Sequence, residues 1–132
     1  MAFMIHSTDD GRVVPIEYLP CSAITPKIGM ALIQSSGNLA IATGTNKPTY
    51  ISMVDCASAV TAGDLIPVIR VDHDIIFETE FSATATSINL GDKVTLHASD
   101  GMSVTATTSS GVAEVVYKDG TGASGDMCRV RF

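Results

Sequence analysis

The stretch VDHDIIFETEF, residues 71–81, decides how this chain is read. It places Asp72, His73, Asp74, Glu78 and Glu80 close together, the raw material of a metal or general-base site. Its periodicity points elsewhere. Side chains two apart on a strand share a face. Ile75, Phe77, Thr79 and Phe81 therefore fall on one side, and Ile76, Glu78 and Glu80 on the other. The apolar side goes inward and both glutamates go to water. Asp72-His73-Asp74 then falls at the tip of a hairpin, where Asp is an ordinary turn former. One imidazole between two acids supplies too few ligands in good geometry for a divalent ion. No metal, cofactor or catalytic role is expected of it.

Alternation of this kind recurs along the chain, and no window of a dozen residues sustains a helical period. In GMALIQSSGNLAIAT (29–43), Met30, Leu32, Leu39 and Ile41 alternate with smaller or polar residues around a Ser35-Ser36-Gly37-Asn38 tip. That reads as a hairpin. Further tips stand at Asp72-His73-Asp74, Ser99-Asp100-Gly101, Ser109-Ser110-Gly111 and Lys118-Asp119-Gly120. Between them lie runs rich in Val, Ile, Thr and Phe, at 65–71, 75–81, 93–97, 102–107, 112–117 and 127–132. Short strands separated by frequent turn signals predict an all-β fold, a small sandwich or barrel. Residues 53–64, MVDCASAVTAGD, are Ala-rich but are expected to form a loop.

One pattern repeats. Gly-Asp precedes an alternating strand in AGDLIPVI (62–69), LGDKVTLH (90–97) and SGDMCRVRF (124–132). Gly takes a corner at positive φ, and the Asp side chain accepts a nearby backbone N–H. Asp64, Asp92 and Asp126 are thus expected to shape turns rather than to gather as a carboxylate cluster.

Composition narrows the rest. The 132 residues are one domain's worth, long enough to build a core without disulfides. Hydrophobic residues make up 45% and Trp is absent, so the core must come from aliphatic side chains. Net charge is −6, which disfavours phosphate backbones and anionic lipid as partners. Neither nucleic acid nor membrane is expected. Cys21, Cys56 and Cys128 are odd in number and irregularly spaced, so they are expected as reduced, buried thiols. No apolar run reaches the ~18 residues of a membrane span. The start, MAFMIHSTDDG, lacks the basic and apolar regions of a signal peptide.

No catalytic signature appears: no G-x-S-x-G, no G-x-G-x-x-G, no H-E-x-x-H. GTGAS (120–124) lacks the Lys-Ser/Thr that would make it a phosphate loop. Lys118 beside Asp119-Gly120 lacks the flanking methionines of a lipoyl or biotin carrier. The chain is not expected to be an enzyme.

Residues 1–20 differ from the rest. Pro15 and Pro20 disfavour a central strand. The segment nevertheless carries Phe3, Met4, Ile5, Val13, Val14, Ile16 and Tyr18, too many apolar residues for a disordered tail. It reads as an arm that docks on its own domain, on another copy or on another protein. The expected organisation is an arm over 1–20 and one barrel-like domain over 21–132.

Residues 24–81 resemble the phage head decoration proteins of the lambda type. ITPKIGMALIQSSGNLAIATG matches as an extended entry, a strand, a tip and a second strand. KPTYISMVDCASAVTAGDLIPVIRVDHDIIFETEF follows as a strand, a loop and a hairpin in the same order. The stretch from Ile88 to Phe132 looks like a further barrel half of related capsid-stabilising proteins. The resemblance implies an all-β barrel or β-tulip with an extended N-terminal arm. It implies a capsid decoration (cement) protein, made in the host cytoplasm and carried on the outer surface of the virion head. The major capsid protein would be its partner, and a homo-oligomer, a trimer, its form. It also implies that Phe3, Met4, Ile5, Val13, Val14, Pro15, Ile16 and Tyr18 contact the shell or a neighbouring subunit. On that reading, deleting residues 2–16 leaves a folded barrel that no longer binds heads. Another virion β protein, of the tail tube, head completion or fibre base, is the alternative.

Overall fold

The protein is described here as a computed structural model covering residues 2–132. Its strands are β1 (Met4–Thr8), β2 (Ile16–Pro20), β3 (Ala31–Ser35), β4 (Asn38–Ile41) and β5 (Tyr50–Ser52). β6 (Leu65–Arg70), β7 (Ile75–Glu80), β8 (Lys93–Val94), β9 (Ala113–Lys118) and β10 (Met127–Arg131) follow. No helix forms among the described residues. The fold is all-β, with two five-stranded antiparallel sheets. Sheet A has the order β1-β7-β10-β9-β8, and sheet B the order β2-β6-β5-β3-β4.

β7 alternates as its residues dictate. Ile75, Phe77 and Thr79 are buried, and Ile76, Glu78 and Glu80 are half-buried on the outer side. The expected hairpin around Asp72-His73-Asp74 does not form, because β6 and β7 lie in different sheets. β6 pairs with β2 and β5, and β7 with β1 and β10, so both edges of each strand are taken. The turn is a corner that carries the chain from one sheet to the other. Alternation sets which face of a strand is buried; it does not select the neighbour.

Sheets A and B enclose the main core, which is not purely aliphatic as expected, because all four phenylalanines are buried in it. Phe77, Phe81, Val115, Val130 and Phe132 from the sheet A side meet Ala31, Ile51 and Ile69 of sheet B. The other face of sheet B carries a second cluster: Cys21, Met30, Leu32, Leu39, Tyr50, Ile66 and Val68. Ile24, Val54 and Val60 from the flanking loops pack against it. Sheet B curls as it does so. Leu39 of β4 bridges to Cys21, just past the end of β2, and the Ser22 amide donates to the Leu39 carbonyl at 2.9 Å.

The β3–β4 hairpin has the expected tip, with Ser36 at φ 52° and Gly37 at φ 85°, the left-handed pair of a two-residue turn. The Gly-Asp pattern is one turn used three times. Asp64, Asp92 and Asp126 each donate their amide to the carbonyl of the residue three earlier. Their Oδ2 atoms accept the amides of Thr61, Asn89 and Ala123 at 3.0, 2.9 and 2.9 Å. Gly63, Gly91 and Gly125 hold φ of 90–94°, which their lack of Cβ permits. Residues 53–64 form a loop, as expected.

Two expected strands are smaller than their composition suggests. Of 93–97, Lys93 and Val94 form β8, and 102–107 contributes isolated bridges through Val104. Val104 bridges to both Leu96 and Phe81, and Leu96 bridges to Gly44. These residues fill one end of the main core instead of extending a ladder.

Residues 2–20 are part of both sheets. β1 is an outer strand of sheet A and β2 an outer strand of sheet B, positions compatible with Pro15 and Pro20. Phe3 is buried, with its ring 5.4 Å from that of Phe132. Gly29 makes this possible: a Cβ there would stand 2.3 Å from the Ala2 Cβ. The Phe3 amide donates to the Gly29 carbonyl at 2.9 Å. Of the three docking options for the arm, its own domain is the one observed. Deleting residues 2–16 would therefore remove β1 and a core phenylalanine, and would not leave the domain intact.

Candidate interaction surface

The acid–imidazole–acid turn is committed to holding the chain together. Arg12 Nε donates to Asp74 Oδ2 at 2.9 Å, and its Nη2 to Asp74 Oδ1 at 3.0 Å and Asp72 Oδ2 at 3.1 Å. A guanidinium fork matches a carboxylate in this bidentate way. The hydrogen bond from Arg12 holds the Asp74 carboxyl below its ordinary range, and Asp74 with Asp72 raises the Arg12 guanidinium further. His73 Nδ1 lies 3.0 Å from the Phe132 backbone oxygen. That oxygen only accepts, so Nδ1 is the donor. The turn thus ties residue 12 to residue 132 across the middle of the chain. Among the described residues, no group of three or more His, Cys, Asp and Glu is placed to hold a metal ion.

Lys118 is likewise committed. Its Nζ donates to the Ile88 carbonyl at 2.8 Å and approaches those of Ala85 and Thr86 at 3.5 Å. Cys21, Cys56 and Cys128 are free thiols. Burial, then the charge of Glu80, pushes the Cys128 thiol up to about 12, and burial, then Cys56, raises Cys21. Cys56 is half-buried, so the expectation of buried thiols holds for two of the three.

The eight apolar residues singled out near the N-terminus divide sharply. Phe3 belongs to the core, and the half-buried Val14 packs against it. Met4, Ile5, Val13, Pro15, Ile16 and Tyr18 are exposed. Val13 is 92% exposed, Tyr18 65% and Ile16 55%.

Four of them, Met4, Ile5, Ile16 and Tyr18, border one face. Met4 and Ile5 line a groove of about 170 Å³ with Phe3, Ile28, Gly29, Met53 and Ile69. Ile69 lies directly opposite Ile16 in the β2–β6 ladder, followed by Pro67 opposite Tyr18 and Leu65 opposite Pro20. Residues directly opposite share a face, so the groove continues along β2 and β6 to Tyr18 and Leu65. Leu65 is 63% exposed and Ile28 42%. Neither stood out in the sequence, because Leu65 opens a run that also holds the buried Ile66, Val68 and Ile69. On the opposite face of β2, Glu17 pairs with Arg70 at 3.2 Å, and the Arg70 guanidinium stacks 5.6 Å from the Tyr50 ring.

The apolar face spans outer strands of both sheets, which leave backbone groups of β1 and β2 unpaired within their ladders. Exposed apolar surface beside an open strand edge is what a docking partner covers. No family model matches the chain, and no curated protein is significantly similar to it.

Proposed function

We propose that the protein is a structural, non-catalytic virion component, a head decoration protein that binds the outer surface of a phage capsid and braces neighbouring capsomers. The observation that carries this reading is the continuous apolar face from Met4 and Ile5 through Ile16 to Tyr18 and Leu65. It is the surface that a shell protein would cover, and the side chains of Arg12, Asp72 and Asp74 are engaged with one another. The major capsid protein is the proposed partner and a trimer the proposed form. Sheet B, curled through the Cys21–Leu39 bridge, is the proposed barrel or tulip element. A modest contact repeated over many sites gives strong overall attachment.

Point substitution tests this without removing β1. Ile16→Glu with Tyr18→Glu places charge on two exposed side chains and is expected to leave the far-ultraviolet circular dichroism unchanged. Cosedimentation with undecorated heads should fall to background. Saturation of the heads by the folded double variant would exclude this face as the attachment surface. Size-exclusion chromatography separates the alternative: rings or polymers would mark a tail-tube type of component, a small discrete oligomer a decoration protein.

A further inference from the structure

The basic residues are few, and each has a clear place among the described residues. The chain has eight Lys and Arg against fourteen Asp and Glu. Arg12, Lys27, Arg70 and Arg129 each face a carboxylate. Lys118 is satisfied by backbone carbonyls. Lys47, Lys93 and Arg131 remain, and all three line one pocket of about 220 Å³ with His73, Glu114 and Phe132. None of the three makes an ion pair among the described residues.

The pocket is assembled from distant parts of the chain. Lys47 comes from the β4–β5 connection, His73 from the corner between sheets, and Lys93, Glu114 and Arg131 from β8, β9 and β10. The ladder places Lys93 opposite Glu114 and Glu114 opposite Arg131, a row across the outer face of sheet A. Gly111 provides a bare wall: a Cβ there would lie 2.1 Å from the Lys93 carbonyl oxygen. Glu114 lies within ion-pair reach of neither cation, so local charge is inverted relative to the chain's net −6.

A second observation is independent of this clustering. The Nε of Arg131 is buried and has no hydrogen-bond partner among the described residues. Buried donors in folded proteins are almost always satisfied, so an unpaired guanidinium N–H beside this pocket calls for a water, an ion or a ligand.

We propose that this pocket is an oxyanion-binding site, taking a phosphate or carboxylate group between Arg131, Lys93 and Lys47. A guanidinium beside two ammonium groups suits such a ligand. The pocket is smaller than the ~300–1,000 Å³ clefts that enclose whole small molecules, so it takes an anionic group rather than a cofactor. The site does not depend on the decoration reading.

Titration of the full chain with inorganic phosphate, and separately with acetate, at constant pH and ionic strength tests the site. The readouts are the Arg131 Nε–H resonance and the thermal unfolding midpoint. A saturable shift of both is expected. Response to phosphate alone makes the ligand a phosphate; response to acetate as well makes it any small oxyanion. Lys47→Gln and Lys93→Gln change exposed side chains and should leave the anion-free midpoint near that of the parent. Each should weaken binding roughly tenfold, the loss of one charged hydrogen bond. No saturable shift with either anion, or equal shifts in parent and variants, would overturn the proposal.

Discussion

β6 and β7 follow one another in the chain and face opposite demands. β7 buries alternate residues and shows Glu78 to the half-exposed outer side, where Arg129 meets it at 3.3 Å. β6 buries Ile66, Val68 and Ile69, and Val68 and Ile69 point into different clusters. The difference is the number of covered faces. Sheet A packs on one side. Sheet B packs on both, against sheet A and against its own curl with the loops that flank it. A strand covered on both faces reads as an apolar run, and one covered on a single face reads as an alternation.

The largest effects should come from truncations on either side of this contrast. Phe77→Ala empties the main core and is expected to cost about 3–5 kcal/mol of unfolding free energy. Leu32→Ala empties the second cluster, and denaturant titration should show a cost of about 2–5 kcal/mol. A loss below ~1 kcal/mol for Leu32→Ala would mean that the outer face of sheet B is surface rather than core, and the contrast would fail. The Gly-Asp turns give a middle-sized effect in both sheets. Asp126 Oδ2 accepts the amides of Gly122 and Ala123, and Asp126→Ala should cost about 1–2 kcal/mol. Asp64→Ala, which frees one amide ahead of sheet B, should cost about 1 kcal/mol. Equal thermal midpoints for parent and both variants would show that the turns form without their carboxylates.

The smallest effect concerns the corner between the sheets. Folding lowers the Asp74 carboxyl, so its stabilising contribution is present above the ordinary carboxylate range. It is lost as pH falls through that range and below it. Arg12→Ala should therefore flatten the fall of stability with acid while changing neutral stability less than the core truncations do. An unchanged acid limb in the variant would remove Arg12 as the cause.

What could be read in advance was local. The β7 alternation, the Ser36-Gly37 tip and the Gly-Asp turns all depend on residues within a few positions of one another. Period-2 burial and the positive φ of Gly leave direct marks in the sequence. Partners far apart in the chain leave none. Nothing near Asp72 announces Arg12, and nothing near Phe3 announces that Gly29 clears room for it. The same limit explains the expected hairpin at 72–74: two adjacent alternating runs look alike whether they pair together or turn a corner. Of the apolar face, the exposed β1 and β2 members were visible as excess hydrophobicity in an otherwise proline-broken segment. Leu65 joined it only once β6 was placed beside β2, and Ile28 only once Gly29 was placed against Phe3.

β1 and β10 flank β7, and both run antiparallel to it, so they run parallel to each other. Residue 4 begins the first and residue 131 ends the second. Tension applied between those two points drags β1 and β10 in opposite directions along β7. The hydrogen bonds of both ladders then share the force in shear, side by side, rather than parting one after another as in an opening zipper.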